Sequence, residues 1–269
     1  MTSDEARRAT LAANLAAVTE RIATACRDAG RDPGEIALIV VTKTYPASDV
    51  LHLVSLGVTD VGENRDQEAA PKAAQVAAAL AGQPGGVTPP RWHFVGRLQR
   101  NKCRSVVRYA DLVHSVDSVR LAHALDRAVL ARAAEEGSQR RLDVLVQVSL
   151  DGDPARGGAV ATGGVAKAAA LDEAARDAAS DDEDVALDAV LATVAAAEGL
   201  RLRGLMAVAP LDWEPERAFA TLADIRARVL ERYPEATILS AGMSGDLETA
   251  VRYGATHVRV GSAILGARS

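Results

Sequence analysis

The chain has 269 residues, a length that suits one α/β barrel, and 48% hydrophobic with 25% charged residues is ordinary for a soluble globular protein. A net charge of −5 argues against a broad nucleic-acid-binding surface. The first residues contain no apolar run long enough for a signal peptide or a membrane helix. We therefore expect a cytoplasmic protein that contacts neither nucleic acid nor membrane.

Short runs rich in Val, Ile and Leu alternate with longer amphipathic stretches along the chain. The apolar runs predict eight strands, at 36–44, 57–64, 92–97, 112–118, 142–150, 202–210, 237–242 and 257–265. The amphipathic stretches predict helices at about 4–29, 48–56, 65–80, 100–109, 119–137, 184–198, 214–232 and 246–253.

Eight strands joined by seven helices indicate an α/β fold with a single (β/α)8 TIM-type barrel domain over residues 1–269. An open doubly wound sheet is the alternative, because alternation alone does not prove closure. We expect the N-terminal helix to replace the eighth helix against the barrel wall. Residues 157–184 are small, polar and acidic, which predicts a disordered insertion; a lid over the site is the second interpretation.

The active site of such a barrel lies at the carboxyl ends of the strands, and loops after strands seven and eight often hold phosphate. Small residues that expose backbone N–H groups stand at both places. They are Gly242, Ser244, Gly245, Gly261 and Ser262. Two ordinary tight turns would use the same residues, so the pattern leaves both interpretations open.

Lys43 lies near the end of the first apolar run, IALIVVTKT. A lysine directed into a barrel must be paired or covalently used, because a buried ammonium without a partner is costly. Burial would also lower its pKa and favour the free amine that an imine requires. The alternative is an ion pair at the rim with a carboxylate such as Glu63.

Three further polar residues follow or interrupt apolar strands. Arg259 lies within HVRVGSA and needs a hydrogen-bonding partner, either a carboxylate or a heteroaromatic nitrogen. Asn64 suits a helix N-cap as well as a ligand contact. His93, between Trp92 and Phe94, suits a hydrogen-bonded core histidine, and we find no motif that predicts a metal site.

These residues lie in motifs that occur in order along the chain: VTKTYP, GENRDQE, WHFVGRLQRNK, LSAGMSGDLETAV and VRVGSAILG. At these motifs, from about residue 5 to 267, the chain resembles the pyridoxal phosphate homeostasis protein family, single-domain relatives of the alanine racemase barrel. The resemblance implies that pyridoxal 5′-phosphate (PLP) is held as a Schiff base, the internal aldimine, on Lys43. It implies that Asn64 lies beside the cofactor ring and that Arg259 approaches the pyridine nitrogen. The residues that it implies for the phosphate region are Ser240, Gly242, Met243, Ser244, Gly261 and Ser262.

The sequence departs from the family pattern at two places that bear on the site. Arg97 stands where the family often has histidine, which adds a positive charge near the predicted pocket mouth. The acidic insertion is longer than the family norm.

The resemblance implies a carrier that stores, buffers or delivers PLP, a monomer that transiently contacts PLP enzymes lacking their cofactor, with no catalytic residue. Arg259 agrees, because a permanently protonated arginine leaves the pyridine nitrogen neutral and the electron sink weak. The competing hypothesis is a monomeric alanine-racemase-like enzyme, for which Tyr45 is the candidate acid or base; a Schiff-base aldolase and a cofactor-free interaction module rank lower. Alanine racemases carry a second domain, for which we expect no room after residue 269.

Overall fold

The computed structural model describes residues 2–82, 86–153, 157–161 and 184–266. Its strands are β1 (Ala37–Val41), β2 (Asp60–Glu63), β3 (Arg91–Phe94), β4 (Leu112–Val116), β5 (Leu142–Ser149), β6 (Ala159–Val160), β7 (Leu200–Ala207), β8 (Ile238–Ser240) and β9 (His257–Val260). Its α-helices are α1 (Ser3–Asp28), α2 (Ala47–Ser55), α3 (Asp66–Ala81), α4 (Cys103–Val106), α5 (Val119–Glu136), α6 (Leu187–Ala196), α7 (Pro215–Arg232), α8 (Leu247–Arg252) and α9 (Ser262–Leu265). Two short 3-10 helices span Pro33–Glu35 and Arg100–Lys102.

The strands belong to one sheet with the order β4-β3-β2-β1-β9-β8-β7-β5-β6, and pairing of β4 with β5 closes it. Eight strands thus form the predicted parallel (β/α)8 barrel, and the open sheet is wrong. The ninth strand, β6, is a two-residue addition that pairs with β5. The predicted strands are correct in number and order, although most are shorter than predicted because the chain turns sooner at their carboxyl ends.

The chain forms two compact units, and the first comprises residues 1–96, 108–112 and 239–269. In this unit β1 lies between β2 and β9, with Val40 paired to Val61 on one side and to Val260 on the other. Alternate residues along these strands face opposite sides of the sheet. One side packs on helices, and we call the other the interior face.

Helix α1 packs against the helix-facing side of β1 and β9, as predicted for the helix that replaces the eighth one. Leu11, Val18 and Ile22 are buried there in one apolar cluster with Val40 and Val258. The amino end of α1 is closed by Thr2 and Glu5, whose side chains each accept a hydrogen bond from the other's backbone N–H.

The second unit comprises residues 97–107 and 113–238, and its longest pairing joins β5 to β7 through a bulge at Val144 and Leu145. Helix α5 begins after Ser118, whose side chain accepts from the Leu121 N–H, and ends at Gly137 in the left-handed conformation. Both ends agree with the sequence, since a serine N-cap and a glycine C-cap are common helix boundaries.

The predicted disordered insertion, 157–184, is wrong at its first residues. Ala159 and Val160 form β6, parallel to Val148 and Ser149, because a short apolar pair can extend the sheet edge. Gly158 permits this close approach: its φ is +114°, and a Cβ there would lie 2.6 Å from the Ser149 nitrogen. Residues 162–183 lie outside the described residues.

Candidate functional site

The predicted site residues of the first unit stand at the carboxyl ends of four strands that are neighbours in the sheet, β2, β1, β9 and β8. Parallel strands bring these ends to one edge. Lys43 follows β1 by two residues, and Asn64 directly follows β2. The remaining members are Ser240, Gly242, Met243 and Ser244 at β8, and Arg259, Gly261 and Ser262 at β9.

Lys43 lies in a turn just beyond β1 and is half-buried, so its prediction as a buried strand residue is wrong. The extended run ends at Val41 because Tyr45 N–H donates to the Thr42 carbonyl and closes the turn. If the alternation of Ile39 and Val41 continues into the turn, Lys43 lies on the interior face, which is the position that we expect for it. Among the described residues Lys43 makes no hydrogen bond or ion pair, and the rim ion pair with Glu63 is wrong.

Glu63 instead pairs with Lys72, a residue that the sequence reasoning missed. The Lys72 Nζ lies 2.6 Å from Glu63 Oε1, and both side chains are buried. Burial raises the pKa of Glu63, while hydrogen bonds from Lys72 and Thr42 oppose that rise. The sequence could have indicated this buried lysine. Lys72 lies on the same face of α3 as Ala69, Ala73 and Val76, and a lysine on such an apolar face needs a buried partner.

Asn64 does not cap α3, because the N-cap position is Arg65 and the helix begins at Asp66. The Oδ1 atom of Asn64 is buried and has no hydrogen-bond partner in the part of the chain that the structure describes. An unpartnered buried acceptor is costly, which makes it a candidate for a ligand contact. The backbone of Asn64 is held close to Gly96, where a Cβ would lie 2.2 Å from the Asn64 carbonyl oxygen.

Arg259 is buried and donates a hydrogen bond of 2.7 Å to the Ser240 hydroxyl. Burial lowers the pKa of Arg259 to about 10, so the guanidinium still carries its charge at neutral pH. Its neighbours Val258 and Val260 pack on the helix-facing side, so alternation places Arg259 on the interior face.

The loop after β8 is tightly folded around Gly242. This residue has φ +91°, and a Cβ there would lie 2.6 Å from the Ala250 Cβ. The Met243 N–H donates to the Asp246 carboxylate over 2.6 Å, so this amide is already engaged. Ser244 does not cap the next helix, because Asp246 is the N-cap and α8 begins at Leu247, one residue after the predicted start at 246.

The loop after β9 lies against the end of β1. A Cβ on Gly261 would lie 3.1 Å from the Val41 carbonyl oxygen, so glycine allows this close approach. Ser262 is exposed and is the first residue of α9.

Two other candidate residues have partners of their own. The Tyr45 hydroxyl donates to the Gly266 carbonyl over 2.7 Å. His93 is buried, and its Nε2 lies 2.7 Å from Asp60 Oδ1, which confirms a hydrogen-bonded core histidine. Within the described ranges, no group of three His, Cys, Asp or Glu side chains could hold a metal ion. The same ranges contain no helix that is long and apolar enough to cross a bilayer.

One family model, described as the alanine racemase N-terminal domain, matches residues 181–269 of this parallel barrel. The pyridoxal phosphate homeostasis protein of Mycobacterium tuberculosis is 48% identical over 258 residues, which cover 94% of this chain and 91% of the relative. The chain therefore belongs to the pyridoxal phosphate homeostasis protein family.

Solved structures agree with this membership. PipY of Synechococcus elongatus without PLP is 32% identical with a TM-score of 0.70, covering 95% of this chain and 100% of PipY. PipY with PLP bound is 30% identical with a TM-score of 0.65 and the same coverage.

Proposed function

We propose that this chain binds PLP as a Schiff base on Lys43 and acts in PLP homeostasis in the cytoplasm, by storage, buffering or delivery. The observation that carries the proposal is the Lys43 amine, which has no partner among the described residues and follows β1 at the carboxyl ends of the strands. The name of the family and the PLP-bound form of PipY support the choice of cofactor.

Lys43 is suited to this bond because no hydrogen bond or ion pair with a described residue engages its amine. The unprotonated Nζ would add to the aldehyde carbon, a carbon–nitrogen double bond would form, and the aldehyde oxygen would leave as water. PLP supplies the aldehyde when it is bound, and the protein supplies the positioned amine.

The other residues fit the remaining parts of the cofactor. The Asn64 side chain offers a buried oxygen that has no partner among the described residues, and this side chain would lie beside the ring. Arg259 would donate to the pyridine nitrogen, and its bond to Ser240 fixes the direction of the guanidinium. We assign the phosphate to the two loops that contain Gly242, Ser244, Gly261 and Ser262. The Met243 N–H already donates to Asp246, so we assign Met243 to the side of the phosphate site and not to a hydrogen bond with the phosphate.

Arg259 also supports a PLP carrier rather than an enzyme that converts a substrate. Arginine donates hydrogen bonds and accepts none, so a ring nitrogen that faces it stays unprotonated and draws electrons weakly. Tyr45, the candidate acid or base of a racemase-like enzyme, is occupied by the Gly266 carbonyl. A monomeric amino-acid racemase remains the competing function.

The proposal is tested by reducing the PLP-loaded protein with borohydride and mapping the labelled peptide. We expect a visible absorption band that borohydride removes, a label on Lys43, and loss of both in Lys43→Ala. Lys102→Ala, which changes an unrelated lysine, should keep them. A label on another lysine, or none, would overturn the assignment, and rapid formation of D-amino acids would favour the racemase.

We further infer that residues 1–269 act as one PLP-binding domain, since the match to PipY covers 95% of this chain and 100% of PipY. The protein would act as a monomer and would contact PLP enzymes transiently as it delivers cofactor. Gel filtration tests the first point. The second is tested by whether apo-enzyme activity returns faster from the loaded protein than from an equal concentration of free PLP.

A further inference from the structure

Lys72, the second lysine of the first unit, is buried and bridges helix α3 to the strand ends. Its Nζ donates to Glu63 Oε1 over 2.6 Å and to the Thr42 carbonyl oxygen over 2.8 Å. The Thr42 hydroxyl donates to the same Glu63 oxygen over 2.7 Å. Lysine is rarely buried without a partner, so this arrangement is a specific one.

These contacts hold the turn that carries Lys43. The Thr42 carbonyl oxygen accepts hydrogen bonds from both the Lys72 Nζ and the Tyr45 N–H. Two hydrogen bonds therefore hold the first residue of the turn in place. Thr44 has φ +70°, a left-handed conformation that is unfavourable for a β-branched residue. Its N–H donates to Glu68 Oε2 over 3.1 Å. Glu68 and Lys72 are one helical turn apart, so α3 holds both sides of Lys43.

Lys72 lies on the opposite side of the sheet from Lys43. Thr42 and Glu63 continue the alternation of Val40 and Val61, which pack on helices, whereas Lys43 continues that of Val41. Lys72 therefore cannot share the interior site with Lys43. Its effect must pass through the backbone of the turn.

The charge of Lys72 is also required by its partner. Glu63 is fully buried, and its Oε2 has no hydrogen-bond partner among the described residues. A buried carboxylate of this kind stays ionised only while a cation and hydrogen-bond donors face it. Loss of Lys72 alone would leave a buried, unpaired carboxyl group beneath the turn, which would either take up a proton or destabilise the fold.

We propose that Lys72, with Glu63, is a positioning residue for Lys43. It fixes the Thr42 carbonyl, and so presents the Lys43 amine in the geometry that PLP requires. This inference rests on the proposed function, because it assumes that Lys43 bonds the cofactor. A turn that is already ordered before binding avoids the entropy cost of ordering it afterwards.

The test compares four variants: Lys72→Met, Lys72→Arg, the double variant Lys72→Met/Glu63→Gln, and the control Lys102→Met. The double variant removes both buried charges together, so it tests the turn without an unpaired carboxylate. For each, PLP is titrated by absorbance, the rate of Schiff-base formation is followed, the borohydride label is mapped, and the Tm is measured without PLP.

We expect the double variant to fold and to keep its label on Lys43, with a Kd for PLP raised about tenfold or more and a slower rate. Lys72→Arg, which still donates to Thr42, should recover part of the loss, and Lys102→Met should match the unaltered protein. A double variant with unaltered Kd and rate would overturn the inference. The inference would also be overturned if the Kd for PLP rose only in proportion to the loss of Tm across the four variants and Lys72→Arg recovered none of the lost affinity. Failure of the proposed function would show differently, as a label that persists in Lys43→Ala.

Discussion

Acidification should destabilise the protein through a partly buried histidine at the amino ends of the strands. His257 opens β9, and its ring lies 6.4 Å from that of His93, which in turn contacts Asp60. The pKa of His257 is lowered from its ordinary 6.5 to about 4, mainly by burial, with His93 and Arg91 acting in the same direction and Asp60 opposing them. The neutral ring is therefore the form that the fold accepts.

The direction and size of the change in unfolding free energy with pH follow from proton linkage. Because the folded pKa lies below the unfolded one, this stabilisation is complete above pH 6.5 and is lost as the pH falls towards 4. A shift of this size corresponds to about 3 kcal/mol in full, of which about 2 kcal/mol is lost by pH 5. Burial opposes the ionisation of Asp60, but hydrogen bonds from His93 and Thr59 leave its pKa below the ordinary value of 3.8. Asp60 therefore stays ionised between pH 5 and 7 and does not change the unfolding free energy with pH in that range.

Urea unfolding at pH 7, 6 and 5 measures this slope directly. The unaltered protein should lose about 2 kcal/mol of unfolding free energy in excess of His257→Gln, which cannot take up the proton. His123→Gln removes an exposed histidine from α5 and should keep the full slope. Equal slopes in the unaltered protein and His257→Gln would refute the assignment of this pH dependence to His257.

Two further predictions concern residues that support the site without touching a ligand. Gly96→Ala places a Cβ 2.2 Å from the Asn64 carbonyl oxygen, so we expect a loss of about 1–3 kcal/mol and weaker PLP binding, measured by urea unfolding and titration. Gly82→Ala, whose nearest atom would lie at 3.9 Å, is the control and should change neither; an unaltered Gly96→Ala protein would contradict the contact. Arg7→Met breaks a two-bond pair with buried Asp49, at 3.0 and 2.6 Å, and should cost about 2 kcal/mol in urea unfolding. Arg7→Met/Asp49→Asn should recover part of that loss, and no recovery would mean that lost packing of Arg7, not the unpaired charge, is the cause.

Much of the fold could be predicted because it depends on local pattern. The apolar runs and their spacing predicted eight strands in the right order, and Ser118 marked the start of α5 as observed. The pattern was weaker where side chains compete for a helix end. Asn64 and Ser244 both suit an N-cap, but Arg65 and Asp246 hold those positions.

The candidate site divides in the same way. Arg259 and His93 could be predicted to need partners, because a polar residue within an apolar strand must be satisfied wherever it points. The identities of those partners, Ser240 and Asp60, could not be predicted, since they come from other strands. The roles of the nine site residues toward PLP stay predictions until the labelling experiment is done.

Sequence by itself determined the fold class, the family and the position of Lys43 at the end of the first strand, because these follow from periodicity and motif order. Only the tertiary structure decided which lysine forms the ion pair with Glu63. Lys43 was the lysine that the sequence suggested for Glu63, and Lys72 was missed, because the pairing depends on how helix α3 packs on the sheet. Helix α3 brings Lys72 to the helix-facing side, which leaves Lys43 on the interior side without a described partner. A single buried carboxylate oxygen is satisfied by one cation, and the packing of α3 determined which one.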